Sequence, residues 1–343
     1  MKKYNVAILG ATGAVGQEFI NLIEERNFPF SGLKLLASAR SAGKKLTVAG
    51  QEYTVEEATP DSFRGVDIAL FAGGSASKIF APHAVKAGAV VIDNSSAFRM
   101  DPEVPLVVPE VNPEAVRAHK GIIANPNCST IIMVMALKPI HDRARIKRVV
   151  VSTYQAVSGA GKEGIDELTS QVKAISEGRP VEANILPSAS LPKHYQIAFN
   201  LLPQIDVFLE DGYTKEEMKM VNETRKIMSE PNMAITATTI RVPVYRSHSE
   251  SVNLELESAL SVSDTKAALA GFPGVIVQDN PAEMEYPMPL YTSGRNEVFV
   301  GRIRADESVK HGLNLWVVGD QIRKGAALNA LQIAELMIAQ NLL

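Results

Sequence analysis

The chain holds one cysteine, Cys128, set in ANPNCST between Asn127 and Ser129. A lone thiol cannot close an internal disulfide or build a cysteine-based zinc site, which leaves packing or reactivity as its use. Apolar GIIA precedes it and IIMVMAL follows, so the pattern predicts a strand ending near Pro126 and a helix whose first turn holds Cys128. A helix start favours a thiolate. Its unpaired N–H groups, with the Asn127 side chain as a further donor, would stabilise an oxyanion formed when sulfur attacks a carbonyl. The alternative is a small buried hydrophobe; polar Asn125, Asn127, Ser129 and Thr130 argue against it. A thiol nucleophile also needs a proton partner. Of six histidines, His248 in RVPVYRSHSES is the candidate, because it lies beyond a strand among Arg241, Arg246, Ser247, Ser249 and Glu250. The arginines beside it suggest an anionic substrate. His83, His119, His141, His194 and His311 lack such company.

These residues need a scaffold. YNVAILG is a short apolar run ending at Gly10, and ATGAVGQEFINLIEER continues at helical spacing, which predicts strand, tight turn and helix in succession. Further apolar runs at LKLLAS, DIALFAG and AVVIDNS, separated by segments such as SASKIFAPHAVKAG, predict a parallel, doubly wound sheet. Gly10, Gly13 and Gly16 would let backbone amides approach a pyrophosphate at the helix start; their spacing is GxxGxxG and departs from GxGxxG. Such glycines can also serve only a tight turn. After the second strand stand Ser38, Ala39, Arg40 and Ser41, with no carboxylate for the ribose hydroxyls of NAD. A guanidinium flanked by hydroxyls suits a 2′-phosphate, so NADP is expected unless the segment is merely a solvated turn.

Beyond the central helix, KRVVVSTYQAV, ATTIRVPVY, SVNLELES, EVFVGRIRAD and LNLWVVGD alternate in part, which predicts a half-exposed, mostly antiparallel sheet. Two amphipathic helices are inserted: GIDELTSQVKAISEG, with Ile165, Leu168, Val172 and Ile175 on one face, and TKEEMKMVNETRKIMSE, where Thr214 and Glu217 form a capping box. A terminal helix in QIRKGAALNALQIAELMIAQ would pack back on the first domain. The expected division is 1–128 plus 322–343 against 129–321. At 343 residues two domains are the default, and a net charge of -3 leaves no footprint for nucleic acid or an anionic membrane. No apolar run approaches the roughly eighteen residues of a membrane span, and MKKYNVAILG enters a strand directly, so a cytoplasmic chain is expected. No metal is expected.

GATGAVG, NPNCST, YQAVSGAG, RVPVYRSHSE and GDQIRKGAALNA together resemble aspartate-semialdehyde dehydrogenases, in order along nearly the whole chain. The resemblance implies an α/β protein, with an N-terminal Rossmann-like NADP-binding domain and an α+β catalytic and dimerisation domain. It implies NADPH-dependent, reversible conversion of L-aspartyl 4-phosphate to L-aspartate 4-semialdehyde and phosphate, on the route to lysine, threonine and methionine. Carried over by position, Cys128 resembles the thioester-forming nucleophile, Gln155 the residue that orients the intermediate, and His248 the general acid/base. Arg241 resembles the arginine that grips the substrate α-carboxylate and Arg99 the phosphate-binding arginine, though a loop arginine can also cap nearby carbonyls. Glu216 and Lys219 fall where the substrate amine and phosphate are bound; an i,i+3 pair is equally an exposed ion pair. Thr12, Gly13, Ala14 and Val15, then Arg40 and Ser41, Ser158 and Gly159, and Gln321 resemble positions around NADP. SGAGK is no P-loop, since Ala156 stands in place of the first glycine. A homodimer or homotetramer is implied by resemblance alone. Two other readings stay open: an enzyme like N-acetyl-glutamyl-phosphate reductase, and a non-enzymatic NADP-binding redox sensor, against which the lack of a resolving cysteine speaks.

Overall fold

The computed structural model describes residues 2–343, which divide into two compact units. The first runs up to Asn127 and takes in Gly325–Leu343; the second is Cys128–Lys324.

The first unit is built on strands β1 (Tyr4–Leu9), β2 (Phe30–Ala37), β5 (Glu56–Glu57), β6 (Ile68–Phe71), β7 (Val90–Asp93) and β8 (Ile122–Ala124), in the order β5-β2-β1-β6-β7-β8. Every pairing is parallel, and a small hairpin, β3 (Lys45–Val48) with β4 (Gln51–Thr54), stands apart. β1 and β6 are buried almost throughout, the continuous apolar pattern of strands covered on both faces. Helix α1 (Ala14–Glu25) and the terminal helix Leu328–Ala339 bury Phe19, Leu22, Ile23, Leu331 and Ala334 in one core with β1. Helix α2 (Ala76–Lys86) serves a second core with Phe63 and Phe71. The terminal helix is shorter than its sequence pattern, because Arg323–Ala327 forms a π-turn first.

The second unit opens with α3 (Cys128–Ala144), buried on nearly all sides. Its sheet comprises β9 (Ile146–Gln155), β10 (Ala234–Arg241), β11 (His248–Leu256), β12 (Val275–Val277), β13 (Val298–Asp306) and β14 (Gly312–Gly319), ordered β10-β9-β11-β14-β13-β12. The three central pairings are antiparallel and the two outer ones parallel. β10 runs parallel to β9 because the connection between them is long enough to cross over, carrying α4 (Lys162–Ser176) and α5 (Lys215–Ile227). The short β12 went unread in the sequence. α5 is closed by the Thr214–Glu217 capping box, with Glu217 N–H donating to Thr214 Oγ1 at 3.2 Å and Thr214 N–H to Glu217 Oε2 at 2.7 Å. α4 departs from its expected face. Leu168 is buried, but Val172 and Ile175 are exposed, and Glu167, Gln171 and Ala174 turn inward instead. The cause is polar: Gln171 Oε1 accepts from the Ile197 and Ala198 N–H groups at 2.9 and 3.0 Å, and its Nε2 donates to the Glu182 carbonyl, so the amide anchors the following loop. The second unit also has a helix α6 (Val262–Ala270).

Candidate active site

Cys128 is the first residue of α3. Its Sγ lies 3.4 Å from Nε2 of His248, the first residue of β11, across 120 positions of sequence. The thiol is half-buried and the imidazole fully buried. His248 Nδ1 accepts from the Ala156 N–H at 3.0 Å, and the Ala156 carbonyl accepts from Arg241 Nη1 at 2.7 Å. One backbone residue therefore holds both side chains. Gly159 leaves room for them: a Cβ there would fall 2.7 Å from Arg241 Nη1 and 3.4 Å from His248 Cε1. Burial holds the His248 pKa down to about 3, and the Arg241 charge acts in the same direction against Glu216. Burial also lowers Arg241, opposed by Glu216 and Cys128. Arg241 Nε is buried with no partner among the described residues.

Gln155, at the end of β9, is fixed from both ends. Thr153 Oγ1 donates to its Oε1 at 2.9 Å, and its Nε2 donates to Glu216 Oε1 at 3.2 Å. The other Glu216 oxygen meets Lys219 Nζ at 3.0 Å, and Asp206 Oδ2 meets the same ammonium at 3.0 Å. Burial alone would lower the Lys219 pKa, but the two carboxylates outweigh it and raise it. With Glu216 5% exposed, this is no solvated surface pair. Ser247 holds a left-handed backbone at φ 77° just before His248. Its N–H donates to Gln321 Oε1 at 2.8 Å, and Gln321 Nε2 donates to Ser158 Oγ, so Gln321 and Ser158 brace the turn that presents the histidine.

The remaining candidates lie in the first unit. Gly10 turns at φ 86°, and a Cβ on Gly16 would fall 2.2 Å from the Gly10 carbonyl, so only glycine lets α1 start this close to β1. The loop Thr12–Gly13 leads into Ala14 and Val15, whose N–H groups belong to the helical turn that has no intrahelical acceptors. Thr12 Oγ1 donates to Ser41 Oγ at 3.3 Å, which brings the glycine loop beside the turn after β2. Ser38 and Arg40 are exposed in that turn. These residues fit a dinucleotide: close backbone approach, open amides and an available cation. Arg99 Nε and Nη2 donate to the Asn125 and Asn94 carbonyls at 2.9 and 2.8 Å, the carbonyl-capping arrangement. Asn127 is buried.

Residues 5–119 match the family model "Semialdehyde dehydrogenase, NAD binding domain", and residues 137–324 match "Semialdehyde dehydrogenase, dimerisation domain". The aspartate-semialdehyde dehydrogenase of Aquifex aeolicus (strain VF5) is 60% identical over 344 residues, covering 99% of this chain and 99% of that one. The chain belongs to the aspartate-semialdehyde dehydrogenase family. Among solved structures it resembles Vibrio cholerae aspartate semialdehyde dehydrogenase II complexed with ASA, with a TM-score of 0.94, 47% identity and 99% of each chain covered. It also resembles the Candida albicans aspartate semialdehyde dehydrogenase with NADP, at a TM-score of 0.78, 27% identity and 100% of each chain. In this member of the aspartate-semialdehyde dehydrogenase family, Thr153, Ala156 and Asp206 stand beside the expected residues and were missed in the sequence. Thr153 was legible in principle, since it shares a strand face with Gln155 two positions on. Ala156 acts only through its backbone, and Asp206 reaches Lys219 from a loop, so neither carried a local signal.

Proposed function

We propose that the chain catalyses the NADPH-dependent reduction of L-aspartyl 4-phosphate to L-aspartate 4-semialdehyde with release of phosphate, on the route to lysine, threonine and methionine. The observation that carries this is the 3.4 Å approach of Cys128 Sγ, at a helix start, to His248 Nε2. Sulfur attacks the acyl carbon; a C–S bond forms as the C–O bond to phosphate breaks, leaving a thioester. The α3 N–H groups and Asn127 are the donors for the developing oxyanion. Bound NADPH supplies the hydride that reduces the thioester. Collapse of the resulting hemithioacetal returns the electron pair to Cys128, and the one proton taken up overall ends on phosphate. His248 is the acid/base partner of these steps.

Arg241 grips the α-carboxylate, a role supported by its buried, unpartnered Nε. Glu216 takes the substrate amine, Gln155 orients the acyl group, and Lys219 and Arg99 take the phosphate. On the cofactor side Gly10, Thr12, Gly13, Ala14 and Val15 receive the pyrophosphate, while Ser38, Arg40 and Ser41 receive the 2′-phosphate. Ser158, Gly159 and Gln321 complete the set. Preference for NADP is supported by the exposed Arg40 past β2, with no carboxylate in that turn. The protein assembles at least as a dimer through residues 137–324, the segment matched to a dimerisation domain. We place it in the cytoplasm; among the described residues no helix is long and apolar enough to cross a membrane.

The test is phosphate-dependent reduction of NADP by purified protein given aspartate semialdehyde, run beside the N-acetylated glutamate analogue. Turnover of the first substrate is expected, and its absence overturns the reading. Glu216 would serve no purpose against a blocked amine, so preference for the second substrate would instead assign the rival reductase. Arg40→Asp should weaken NADP binding more than NAD binding; equal losses would argue against a 2′-phosphate contact.

A further inference from the structure

Ser247 precedes His248 with a left-handed backbone at φ 77°, a conformation that a residue other than glycine holds only where its surroundings impose it. Four contacts impose it here. Ser247 N–H donates to Gln321 Oε1 at 2.8 Å, and Ser247 Oγ meets Thr292 Oγ1 at 2.6 Å. The Arg246 carbonyl accepts from Ser293 Oγ at 3.1 Å, and Arg246 Nε donates to Asp320 Oδ2 at 2.5 Å. The partners come from two other segments, one running from the short helix α7 (Pro289–Thr292) into Gly294 and one following β14 from Asp320 onward. Asp320, which is fully buried, gathers all three segments. Besides Arg246 Nε, its Oδ2 accepts from the Gly294 N–H at 2.6 Å, and its Oδ1 accepts from the Ile322 and Arg323 N–H groups at 2.9 and 3.0 Å. Arg323 Nη1 adds a tie to Asn296 Oδ1 at 2.9 Å. We infer that Asp320 is a positioning residue of the proposed reductase: its carboxylate joins the segments of Arg246, Gly294 and Gln321, holds Ser247 in its left-handed turn, and so fixes His248 Nε2 at its distance from Cys128 Sγ.

The acid/base work of His248 requires the imidazole within hydrogen-bond reach of the reacting groups, and Nε2 stands 3.4 Å from Sγ. The Ala156 N–H orients the ring at Nδ1, but the place of the ring is set by the backbone that enters β11, which is the turn at Ser247. Only a carboxylate suits the centre of this arrangement. All four groups aimed at Asp320 are donors, and a carboxylate meets them with two acceptor oxygens. An asparagine would keep one such oxygen and turn its NH2 toward the other two donors. A buried donor left without an acceptor is costly, so that side of the cluster would open. Opening it frees either the Arg246 and Gly294 side or the Ile322 and Arg323 side, and both lead to Ser247. Arg241 and Glu216 stand on β10 and α5, outside the three segments. Substrate grip and the placement of the imidazole are therefore held by separate parts of the fold.

This inference rests on Cys128 and His248 being the reacting pair of the proposed reductase. In the full chain, Asp320→Asn should lower kcat by roughly 10- to 100-fold through a displaced imidazole, with KM for aspartate semialdehyde within about twofold of the parent. A raised KM with kcat unchanged overturns the proposal. A second measurement needs no substrate, so it stands or falls separately from the activity assay: the rate at which iodoacetamide alkylates Cys128, followed against pH. A nearby imidazole favours the thiolate whether it accepts the thiol proton or donates to sulfur, so Asp320→Asn should move the midpoint of that profile to higher pH. A mere loss of stability would not move it in the folded protein, and an unmoved midpoint overturns the proposal. Ser247→Gly supplies the rescue, because glycine adopts φ 77° without the penalty of a side chain. Adding it to Asp320→Asn should raise kcat by roughly threefold or more, and no gain overturns the role given to the turn. If Asp320→Asn does not fold, Arg246→Gln takes its place, since it removes the side-chain anchor alone from a partly exposed position. The same upward midpoint and lower kcat are then expected, and parent values of both overturn the proposal.

Discussion

Cys128 and His248 occupy positions that ask opposite things of them. The thiol is half-buried at a helix start, where an anion is favoured, while the imidazole is fully buried beside a guanidinium, where a cation is not. Cys128→Ala should therefore lower turnover by at least about 10⁴-fold, with NADP affinity nearly unchanged by titration calorimetry; residual turnover near the parent rate would rule out the thioester route. The imidazole also makes a statement about stability. Its folded pKa of about 3 lies below the ordinary 6.5. A base lowered in this way contributes stability that is fully present above pH 6.5 and is lost as pH falls toward 3, because the unfolded chain binds the proton first. The loss should reach about 2 kcal/mol at pH 5. It should be missing in His248→Gln when urea unfolding is compared at the two pH values. Identical pH slopes would show that the imidazole is not held neutral.

At the level of elements, the site depends on where a few strands and helices begin and end. β9 ends on Gln155, β10 on Arg241, β11 begins at His248 and α3 at Cys128, so the reactive groups come from element ends while the element bodies make core. α5 carries Glu216 and Lys219 in its first turns, directly after the Thr214 cap. Thr214→Ala removes that cap and should destabilise the protein by about 1 kcal/mol in chemical denaturation, with a raised KM for phosphate as the first turn loosens. No change in either quantity would mean that tertiary contacts alone position Glu216. The capping box was legible because it is a four-residue pattern with a local cause. The inward face of α4 was not, because Gln171 is polar by type and is buried only through distant backbone partners.

For the whole molecule, Phe199, Met284, Leu290 and Tyr291 are between 66% and 78% exposed within the segment matched to a dimerisation domain. Apolar side chains so placed favour association. Sedimentation equilibrium should give at least twice the mass of the chain, and a monomer at micromolar concentration would contradict the assembly. Much of the fold was legible beforehand. Length pointed to two domains and the spaced apolar runs to an α/β chain, and YNVAILG with GATGAVG pointed to a strand, a tight turn and a helix, because each depends on neighbours within a few residues. The helix start at Cys128 was determined in the same way. Tertiary structure alone decided the rest. The outer strands pair in parallel through long crossovers, and His248 reaches Cys128 from 120 residues away. Asp206 joins Lys219, and the Ala156 backbone faces both Arg241 and His248. Periodicity reports which face of an element is apolar, but not which distant element covers it. A backbone N–H is common to every residue except proline, so only folding could single out the one at Ala156 to meet His248 Nδ1.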